Sequence, residues 1–396
     1  MPCFAGVAAL KVPLDLRNPD ETQQRTGKSP ARLPPGQKPG KRFEHAVKRI
    51  FHAVLDRIWP AGPSREIPEA TSVRAILFVR PNFRMGNIIL STALLAVLRA
   101  RYPRAQIDFL VGDNTARLLE GLPIGRVHVI SRGFVRAPWK FVALFRRLRR
   151  TGYDLAVDGG MGSFSGALYA WLSGARESLG REGSADRFLS VRLRFGPLAN
   201  SYETAPAVAR ALGVTCDAWP VYRVSEIERA EAENTLADFG LRVGGQEKPF
   251  VGIFPGGHRD KRWPRANWLE LIERLAQAGT ATVVFLGPEE MNLLPELRTS
   301  KFNGVHVVLP GMRRTAGILA YASLLVTPDS GPMHLAAALH VPIVAIILTA
   351  WSHSFVPPGV ESRICRGTSA AEVHAALREH PAWTSQTRLQ AKSTGH

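Results

Sequence analysis

The chain has 396 residues, of which 45% are hydrophobic and 21% are charged, with a formal net charge of +18. This length predicts about two domains. No apolar run approaches the roughly 18 residues that a transmembrane helix requires, so no such helix is predicted. The three cysteines lie too far apart for a metal-binding spacing or a disulfide framework, which fits a cytoplasmic protein.

The excess of basic residues predicts a polyanionic neighbour. A nucleic acid, an anionic membrane and a phosphorylated glycolipid would each satisfy the charge. The sequence has no RNA-binding signature, no zinc-finger spacing and no regular alternation of basic and aromatic residues. We therefore expect no nucleic acid among the partners.

Residues 1–72 form a predicted basic N-terminal extension. Residues 1 to about 42 are rich in Pro, Gly, Lys, Arg and Gln, a composition typical of disorder. Apolar residues then recur at helical spacing over residues 42–60, RFEHAVKRIFHAVLDRIWP, with basic residues on the opposite face. This amphipathic helix either packs on the body of the protein or lies on an anionic membrane.

Residues 73–222 alternate between short apolar strands and helices, which predicts an α/β domain with a parallel sheet. The predicted strands are VRAILFV, QIDFLV, VHVI and YDLAVD, and the predicted helices include IILSTALLAVLRARY and the basic KFVALFRRLRR. The pattern is less regular from about residue 180 to 246, apart from a charged helix at SEIERAEAENTLADFG.

Residues 223–380 contain a second α/β series, and residues 381–396 a predicted tail. The strands of this series are PFVGIFPGG, ATVVFLGP, VHVVLPG, LLVTP and VPIVAII, and its helices include TAGILAYA and ANWLELIERLAQAG, which Gly279 ends. Two doubly wound units of this kind predict a ligand-binding cleft between the carboxyl ends of their strands.

The turn after the strand LLVTP has the sequence Asp-Ser-Gly-Pro-Met-His, residues 329–334. Asp or Ser suits a helix N-cap, Pro suits the first helical turn, and Gly lets a ligand approach the backbone. The free N–H groups and the dipole of a helix start attract anions. The turn therefore predicts a phosphate site or, alternatively, a capped connection in which His334 packs on the helix.

A second motif, PGGHRDKRWPRANW at residues 255–268, follows the strand FVGIF. Gly256 and Gly257 permit close backbone approach, and Lys261 offers a compact positive charge for a diphosphate. The alternative is a surface loop that Trp263 anchors. A third motif, RPNFRMGN, leads into a helix predicted to open after Asn87. It lacks GxGxxG, and Asn87 alone is explained by an N-cap.

In their order and separations, DSGPMHLAAALHVP, KRWPRANW, MGNIILSTALLAVLRARYP and LPGM resemble glycosyltransferase family 9, the bacterial lipopolysaccharide heptosyltransferases. The resemblance covers about residues 73 to 360. It implies the GT-B fold, in which an N-terminal acceptor-binding and a C-terminal nucleotide-sugar-binding Rossmann-like domain face each other across a cleft. It further implies inverting transfer of a heptose from ADP-heptose to the lipopolysaccharide core, with no metal and no other cofactor.

The resemblance also assigns roles to residues of this chain. Lys261 corresponds to the lysine that contacts the donor diphosphate, and Asp329 to the acid that binds the hydroxyls of the donor sugar. Met312 falls where the family has an apolar residue against the adenine. The remaining donor-binding positions are Gly256, Gly257, Ser330, Gly331, Pro332, Met333 and His334. The two adjacent glycines stand where the family often has hydroxyl residues, so they offer only backbone N–H groups.

Asn87 departs from the family pattern, which commonly has Gly-Asp here, with that Asp as the proposed general base. An amide does not accept a proton usefully at neutral pH. Three possibilities are open. Another acid such as Asp113 or Asp158 serves as the base, or Asn87 orients the acceptor while donor departure dominates the barrier, or the protein is catalytically weakened.

The resemblance thus favours an enzyme at the inner face of the plasma membrane, with a nucleotide sugar, an anionic glycolipid and the membrane surface as partners. The alternative is a catalytically weakened relative that binds nucleotides or glycans as an interaction protein. His258 and His353 lie in loops predicted to face the cleft, where a lone His is more often structural. No His, Cys and carboxylate cluster has metal-binding spacing.

Overall fold

The computed structural model describes residues 60–384, except 244, 300, 301, 303, 310, 359–361, 367 and 368. The predicted disordered segment and the predicted amphipathic helix of residues 42–60 lie outside this range, apart from Pro60. Among the described helices, none combines the length and the apolar character that crossing a bilayer would need.

The first half contains a six-stranded sheet in the order β3-β2-β1-β4-β5-β6, and all of its neighbouring strands are parallel. The strands are β1 (Ala75–Arg80), β2 (Gln106–Gly112), β3 (Val127–Ile130), β4 (Leu155–Asp158), β5 (Glu177–Arg181) and β6 (Val191–Leu193). The strand order reverses between β1 and β4, so the loops that follow these two strands diverge and leave a crevice.

Five α-helices cover this sheet. They are α1 (Met85–Ser91), α2 (Ala93–Arg101), α3 (Pro138–Thr151), α4 (Phe164–Leu172) and α5 (Thr204–Ala211). Only Thr92 separates α1 from α2, which the sequence predicts as one helix, and its hydroxyl donates to the carbonyl of Ile89. The same hydroxyl accepts a hydrogen bond from the N–H of Val221, so it ties α1 to the segment that leads into the second half.

The second half repeats this topology after α6 (Glu226–Asp238) and a short antiparallel pair, β7 (Arg242–Val243) and β8 (Gln246–Glu247). Its six parallel strands have the order β11-β10-β9-β12-β13-β14. They are β9 (Val251–Ile253), β10 (Thr282–Phe285), β11 (Val305–Val308), β12 (Leu324–Pro328), β13 (Ile343–Ile346) and β14 (Ser362–Cys365).

Five further helices accompany the second sheet: α7 (Arg265–Gln277), α8 (Leu294–Leu297), α9 (Met312–Leu319), α10 (Gly331–Ala338) and α11 (Ala370–Arg378). Ser225 and Glu228 form a capping box at the start of α6, as the sequence pattern of that helix allows. Gly279 follows α7 with a φ of 66°, a left-handed conformation that favours glycine and confirms it as the stop of that helix.

The central strands are apolar because helices cover both faces of each sheet. Strands β4, β9, β12 and β13 are buried at every position, and β1 is buried except at its two ends. The two sheets have the same Rossmann-type strand order, which confirms the predicted GT-B architecture of two Rossmann-like domains. Five of the described strands, β5, β6, β7, β8 and β14, were not predicted from the sequence.

Candidate functional site

A cavity of about 440 Å³ lies between the carboxyl ends of the two sheets. Loops after β1 of the first sheet and after β9, β10 and β12 of the second sheet contribute its walls. Among the residues lining it are nine sites singled out in the sequence: Asn87, Gly256, Gly257, His258, Lys261, Asp329, Ser330, Gly331 and Pro332. His334 also lines the cavity, so the three separate motifs meet in one place.

The start of α10 forms one wall of the cavity. Ser330 occupies the N-cap position, and Pro332 lies in the first turn. The Ser330 hydroxyl pairs with that of Thr327 at 2.9 Å and makes no capping hydrogen bond to the helix. The first N–H groups of any helix lack partners inside it, so they remain for a ligand at this wall. Met333 does not line the cavity, because its side chain is buried in the core.

Lys261 and Asp329, which both line the cavity, form an ion pair. The Asp329 side chain is 6% exposed and that of Lys261 is 26% exposed. The ammonium group also lies 5.3 Å from the ring centroid of Phe355, over which a cation is stabilised. A positive charge near the helix start and a carboxylate beside it therefore face the same space.

The two adjacent glycines are held by close packing inside their own loop. A Cβ at Gly257 would lie 2.7 Å from the carbonyl oxygen of Lys261, and a Cβ at Gly256 would lie 2.5 Å from the ring of Phe254. Larger residues therefore require the loop to shift. The loop then turns through a 3-10 segment, Arg259–Lys261, which places the ammonium group of Lys261 over the cavity.

Helices α1 and α10, from the two halves of the molecule, approach each other through glycines. A Cβ at Gly86 would lie 2.5 Å from Cδ2 of His334, and a Cβ at Gly331 would lie 2.6 Å from Cε of Met85. Both distances are too short for a real side chain. This contact brings the first-domain turn that contains Asn87 directly beside the start of α10.

The side chain of His334 packs at this contact between α1 and α10. It is buried, and its Nδ1 atom pairs with the hydroxyl of Tyr202 at 2.8 Å. Burial lowers the pKa of His334 to about 4, with the charge of Asp329 opposing and that of Lys261 reinforcing the shift. The imidazole is therefore neutral at pH 7, and burial raises the pKa of Tyr202 as well.

Asn87 lies in the first turn of α1, which begins at Met85 with Arg84 at the N-cap position. The interpretation of Asn87 as an N-cap is therefore wrong, because the helix opens three residues earlier than predicted. The Asn87 side chain lines the cavity and has no hydrogen-bond partner among residues that the structure describes. Its amide is free to contact a ligand.

Neither alternative base from the sequence is among the residues that line the cavity. The Asp158 carboxylate is fully buried and accepts hydrogen bonds from the N–H groups of Gly160, Gly162 and Ser163, each at 2.9 Å. These bonds hold the turn between β4 and α4. Burial raises the pKa of Asp158, and those N–H groups oppose the shift. Asp113 is exposed and accepts from the N–H of Asn114.

A second, mostly apolar pocket of about 280 Å³ adjoins the main cavity and shares Met85, Phe254, Gly287 and Pro288 with it. Met312, at the start of α9, lines this pocket together with Leu286 and Leu335. A lining of this composition suits the apolar part of a ligand.

The comparisons with known proteins settle the family. The model of glycosyltransferase family 9 (heptosyltransferase) matches residues 141–380. The chain belongs to this family. Lipopolysaccharide heptosyltransferase 2 of Escherichia coli K12 is 28% identical over 305 residues, which cover 72% of this chain and 85% of that protein.

Two solved structures share the fold of this glycosyltransferase. ADP-heptose lipopolysaccharide heptosyltransferase II of Escherichia coli has a TM-score of 0.64 at 23% identity, covering 79% of this chain and 99% of that one. A heptosyltransferase of Escherichia coli with ADP-2-deoxy-2-fluoro heptose has a TM-score of 0.61 at 21% identity, covering 77% and 99%.

The structure of this glycosyltransferase also places residues in the cavity that sequence reasoning missed. Glu289 and Glu290 follow β10 and line the cavity, as does Trp351, which is 70% exposed. Burial, followed by the charge of Glu289, raises the pKa of Glu290. Glu289 and Glu290 could have been found from the sequence, because they follow the carboxyl end of a predicted strand, where ligands usually bind.

Among the described residues, no group of three His, Cys, Asp or Glu side chains has the arrangement of a metal site. His353 is not among the residues that line the cavity. Besides the polar side chains already named, Arg84 is among the residues that line the cavity.

Proposed function

We propose that this glycosyltransferase moves a heptose from ADP-heptose to the inner core of lipopolysaccharide, with inversion at the anomeric carbon. The relative that is 28% identical is a lipopolysaccharide heptosyltransferase, and a structure of the same fold contains an ADP-heptose analogue. We further propose that residues 73–222 bind the acceptor and residues 223–380 bind the donor, at the inner face of the plasma membrane.

The donor fits the two adjoining pockets in one orientation. Adenine occupies the apolar pocket beside Met312, because that pocket is the less polar of the two. Glu290 lies where both pockets meet, since it contacts the loop at Gly256 and also lies against Gly287. Its carboxylate accepts hydrogen bonds from the ribose hydroxyls. The diphosphate then reaches the start of α10.

The diphosphate is held by the backbone at the start of α10, by the glycine loop and by Lys261. The helix dipole and the ammonium group stabilise the negative charge that develops on the departing ADP, which is the main electrostatic contribution expected of such a site. Asp329 accepts hydrogen bonds from hydroxyls of the donor sugar. Its carboxylate lies within the same ion pair, so sugar and phosphate recognition are coupled.

The acceptor hydroxyl approaches from the first domain, where Asn87 faces the cavity. The hydroxyl oxygen forms a bond with the anomeric carbon while the bond from that carbon to the diphosphate oxygen breaks. The amide oxygen of Asn87 accepts the hydrogen bond of the attacking hydroxyl and orients it, and the proton leaves to solvent after attack. Because neither Asp113 nor Asp158 lines the cavity, this role of Asn87 is favoured over the two alternative bases.

One observation carries the proposal: the contact between α1 and α10 places Asn87 within the same cavity as the ion pair of Lys261 and Asp329. A site that only bound a nucleotide would not need the amide of Asn87, which has no hydrogen-bond partner among the described residues, beside the donor sugar. The arrangement therefore favours a transferase over the alternative, a catalytically weakened relative that only binds nucleotides or glycans.

The test begins with calorimetric titration of the full chain with ADP, UDP, GDP and dTDP. We expect ADP to bind with preference and to bind less tightly to Lys261→Ala. Transfer is then measured from ADP-heptose to lipopolysaccharide core that lacks heptose. Product with the opposite anomeric configuration supports the proposal. If the chain binds the nucleotide but neither transfers the sugar to any core acceptor nor hydrolyses the donor, the result supports the interaction-protein alternative.

A further inference from the structure

Helix α3 exposes a basic face that no other described element covers. Its inner face is buried through Leu144, Phe145 and Leu148. The other side of the helix contains six residues that line one shallow surface groove, here called the basic face: Trp139, Val142, Ala143, Arg146, Arg147 and Arg150. Their spacing of three, four and seven residues places them on one side of the helix.

The basic face contains large apolar side chains in contact with water. Trp139 is 66% exposed and Val142 is 51% exposed. Trp139 and Val142 are two of the nine large hydrophobic side chains that are exposed in the described part of the chain. Two such side chains on one helix face, beside arginines, are typical of a docking surface.

The chain segment that contains the basic face has charges of a single sign. No Asp or Glu occurs between Glu120 and Asp154. The eight basic residues of this segment are Arg126, Arg132, Arg136, Lys140, Arg146, Arg147, Arg149 and Arg150. None of these eight forms an ion pair with an acidic side chain in the part of the chain that the structure describes. Their charge is therefore available to an anionic partner.

We infer that the basic face docks on a bilayer of anionic phospholipid. Guanidinium groups bind headgroup phosphates, while Trp139 and Val142 enter the interfacial region, where an indole ring is favoured. A second copy of the chain would bring two surfaces of the same charge together. A nucleic acid would satisfy the arginines but would leave the apolar side chains of a helix face without a partner.

One basic residue of this segment, Arg132, lies close to the cleft. The guanidinium of Arg132 lies 4.5 Å from the ring centroid of Phe83, and the next residue, Arg84, lines the cavity. A glycolipid acceptor anchored in the same bilayer would therefore approach the first-domain wall of the cleft from this side. This step rests on the proposed glycolipid acceptor, whereas lipid binding by the basic face is measured without any acceptor.

The test is co-sedimentation of the full chain with vesicles of phosphatidylglycerol and phosphatidylcholine, and with vesicles of phosphatidylcholine alone. A basic side chain near an anionic surface strengthens binding about fivefold, so Arg146→Gln, Arg147→Gln and Arg150→Gln together should weaken binding to the anionic vesicles about a hundredfold. A matched control removes the same charge at exposed arginines of other helices: Arg210→Gln, Arg229→Gln and Arg378→Gln. Equal losses in the two variants would overturn the inference, since they would show an effect of net charge alone.

Insertion of the indole ring is tested separately. Lipids brominated near the headgroup should quench the fluorescence of the unaltered chain more than that of Trp139→Phe. Trp139→Ser should also remove the part of the vesicle binding that persists at high salt, because burial of an apolar side chain is not screened. An unchanged quenching pattern and unchanged binding at high salt would overturn the docking geometry. The inference would also be overturned if the triple arginine variant lost binding to DNA but kept its binding to vesicles.

A failure of the proposed function and a failure of this inference give different results. The arginine variant should keep its affinity for ADP and its transfer to a soluble core oligosaccharide without lipid A, while transfer to acceptor in vesicles falls. If the chain transfers to no acceptor, vesicle binding still tests the basic face. If the variant loses ADP binding too, the arginines act on the site itself, and the inference is overturned.

Discussion

Lys261 and Asp329, which are 68 residues apart in the sequence, form an ion pair in the wall of the cleft. The pair lies beside the helix start at which we place the donor diphosphate. A diphosphate at this position competes with Asp329 for the ammonium group. The two members of the pair therefore have opposite effects on the diphosphate, because the ammonium group of Lys261 attracts it and the carboxylate of Asp329 repels it.

The first prediction follows from this competition. Asp329→Asn should bind ADP about tenfold more tightly, since a repelling charge is removed and Lys261 is released. Lys261→Ala should lower ADP affinity by tenfold or more, because a charge-assisted hydrogen bond is lost and a nearly buried carboxylate remains unpaired. The double variant should bind ADP better than Lys261→Ala alone. Calorimetric titration of the four proteins measures the coupling, and additive effects would contradict it.

The same substitution should act in the opposite sense on transfer. Asp329→Asn removes a charged acceptor for hydroxyls of the donor sugar, so kcat/KM for transfer should fall about a hundredfold while ADP binds more tightly. A variant whose transfer rises together with its ADP affinity would contradict the sugar-binding role of Asp329.

The close approach of α1 and α10 gives the next prediction. Gly86→Ala would place a Cβ 2.5 Å from the buried ring of His334, which Tyr202 holds in place. Overpacking of this kind costs about 2 kcal/mol of unfolding free energy, and separation of the two helices should lower transfer as well. The control is Gly183→Ala, where a Cβ meets no atom within 4 Å. Urea denaturation measures the unfolding free energy of both variants. Equal values would contradict the prediction, since they would show that α1 and α10 accommodate the added Cβ without cost.

The positions of the central strands along the chain could be predicted from the sequence because each is a largely apolar run. Parallel strands covered on both faces need apolar residues along their length, and β1, β9 and β12 have them except at Arg80 and Thr327. The strand β5, with the sequence ESLGR, has one large apolar residue. Ser178 in β5 is buried and donates to the carbonyl of Phe188, so local polar pairing replaces the apolar signal.

The site could be predicted only as far as its separate motifs. The turn at residues 329–334 and the loop with Lys261 each contain recognisable phosphate-binding features. Their pairing depends on the packing of β9 beside β12, which no local pattern encodes. Glu290 and Trp351 belong to no motif, because single acidic and aromatic residues occur in loops of every kind. Their significance comes from position alone, at the same edge of the sheet as the motifs.

His334 predicts a specific pH dependence of stability. Its pKa is lowered from 6.5 to about 4 in the folded chain, so only the unfolded chain binds this proton between those values. Stability is therefore fully present above pH 6.5 and is lost as the pH falls towards 4, by about 3 kcal/mol from this group. His334→Gln should flatten the profile of unfolding free energy in this interval. Substitution of the exposed His340 by Gln is the control, and a profile that His334→Gln leaves unchanged would contradict the assignment.

Glu290 predicts a difference between nucleotide and diphosphate binding. Glu290→Gln should weaken ADP binding about tenfold, because a neutral amide accepts hydrogen bonds from the ribose hydroxyls less strongly than a carboxylate. It should not weaken the binding of inorganic diphosphate, which has no ribose and is repelled by the original charge. Glu289→Gln serves as the control, since Glu289 is mostly exposed and pairs with Arg262. Parallel losses for both ligands would place Glu290 at the phosphates and contradict the orientation of the donor.

Asn87 gives the prediction that bears most directly on the chemistry. If its amide orients the acceptor hydroxyl, Asn87→Ala should lower kcat for transfer tenfold or more and leave ADP affinity unchanged. Asn87→Asp should alter kcat less than tenfold and should add no new acidic limb to the pH profile of kcat, because departure of ADP dominates the barrier. General base catalysis typically contributes a factor of 10² to 10⁴. A rise in kcat of about a hundredfold in Asn87→Asp, with a new limb at acidic pH, would show instead that the natural chain lacks a base and is a weakened enzyme. Since the substitution exchanges an amide for a carboxylate of nearly the same shape, the comparison isolates proton transfer from packing.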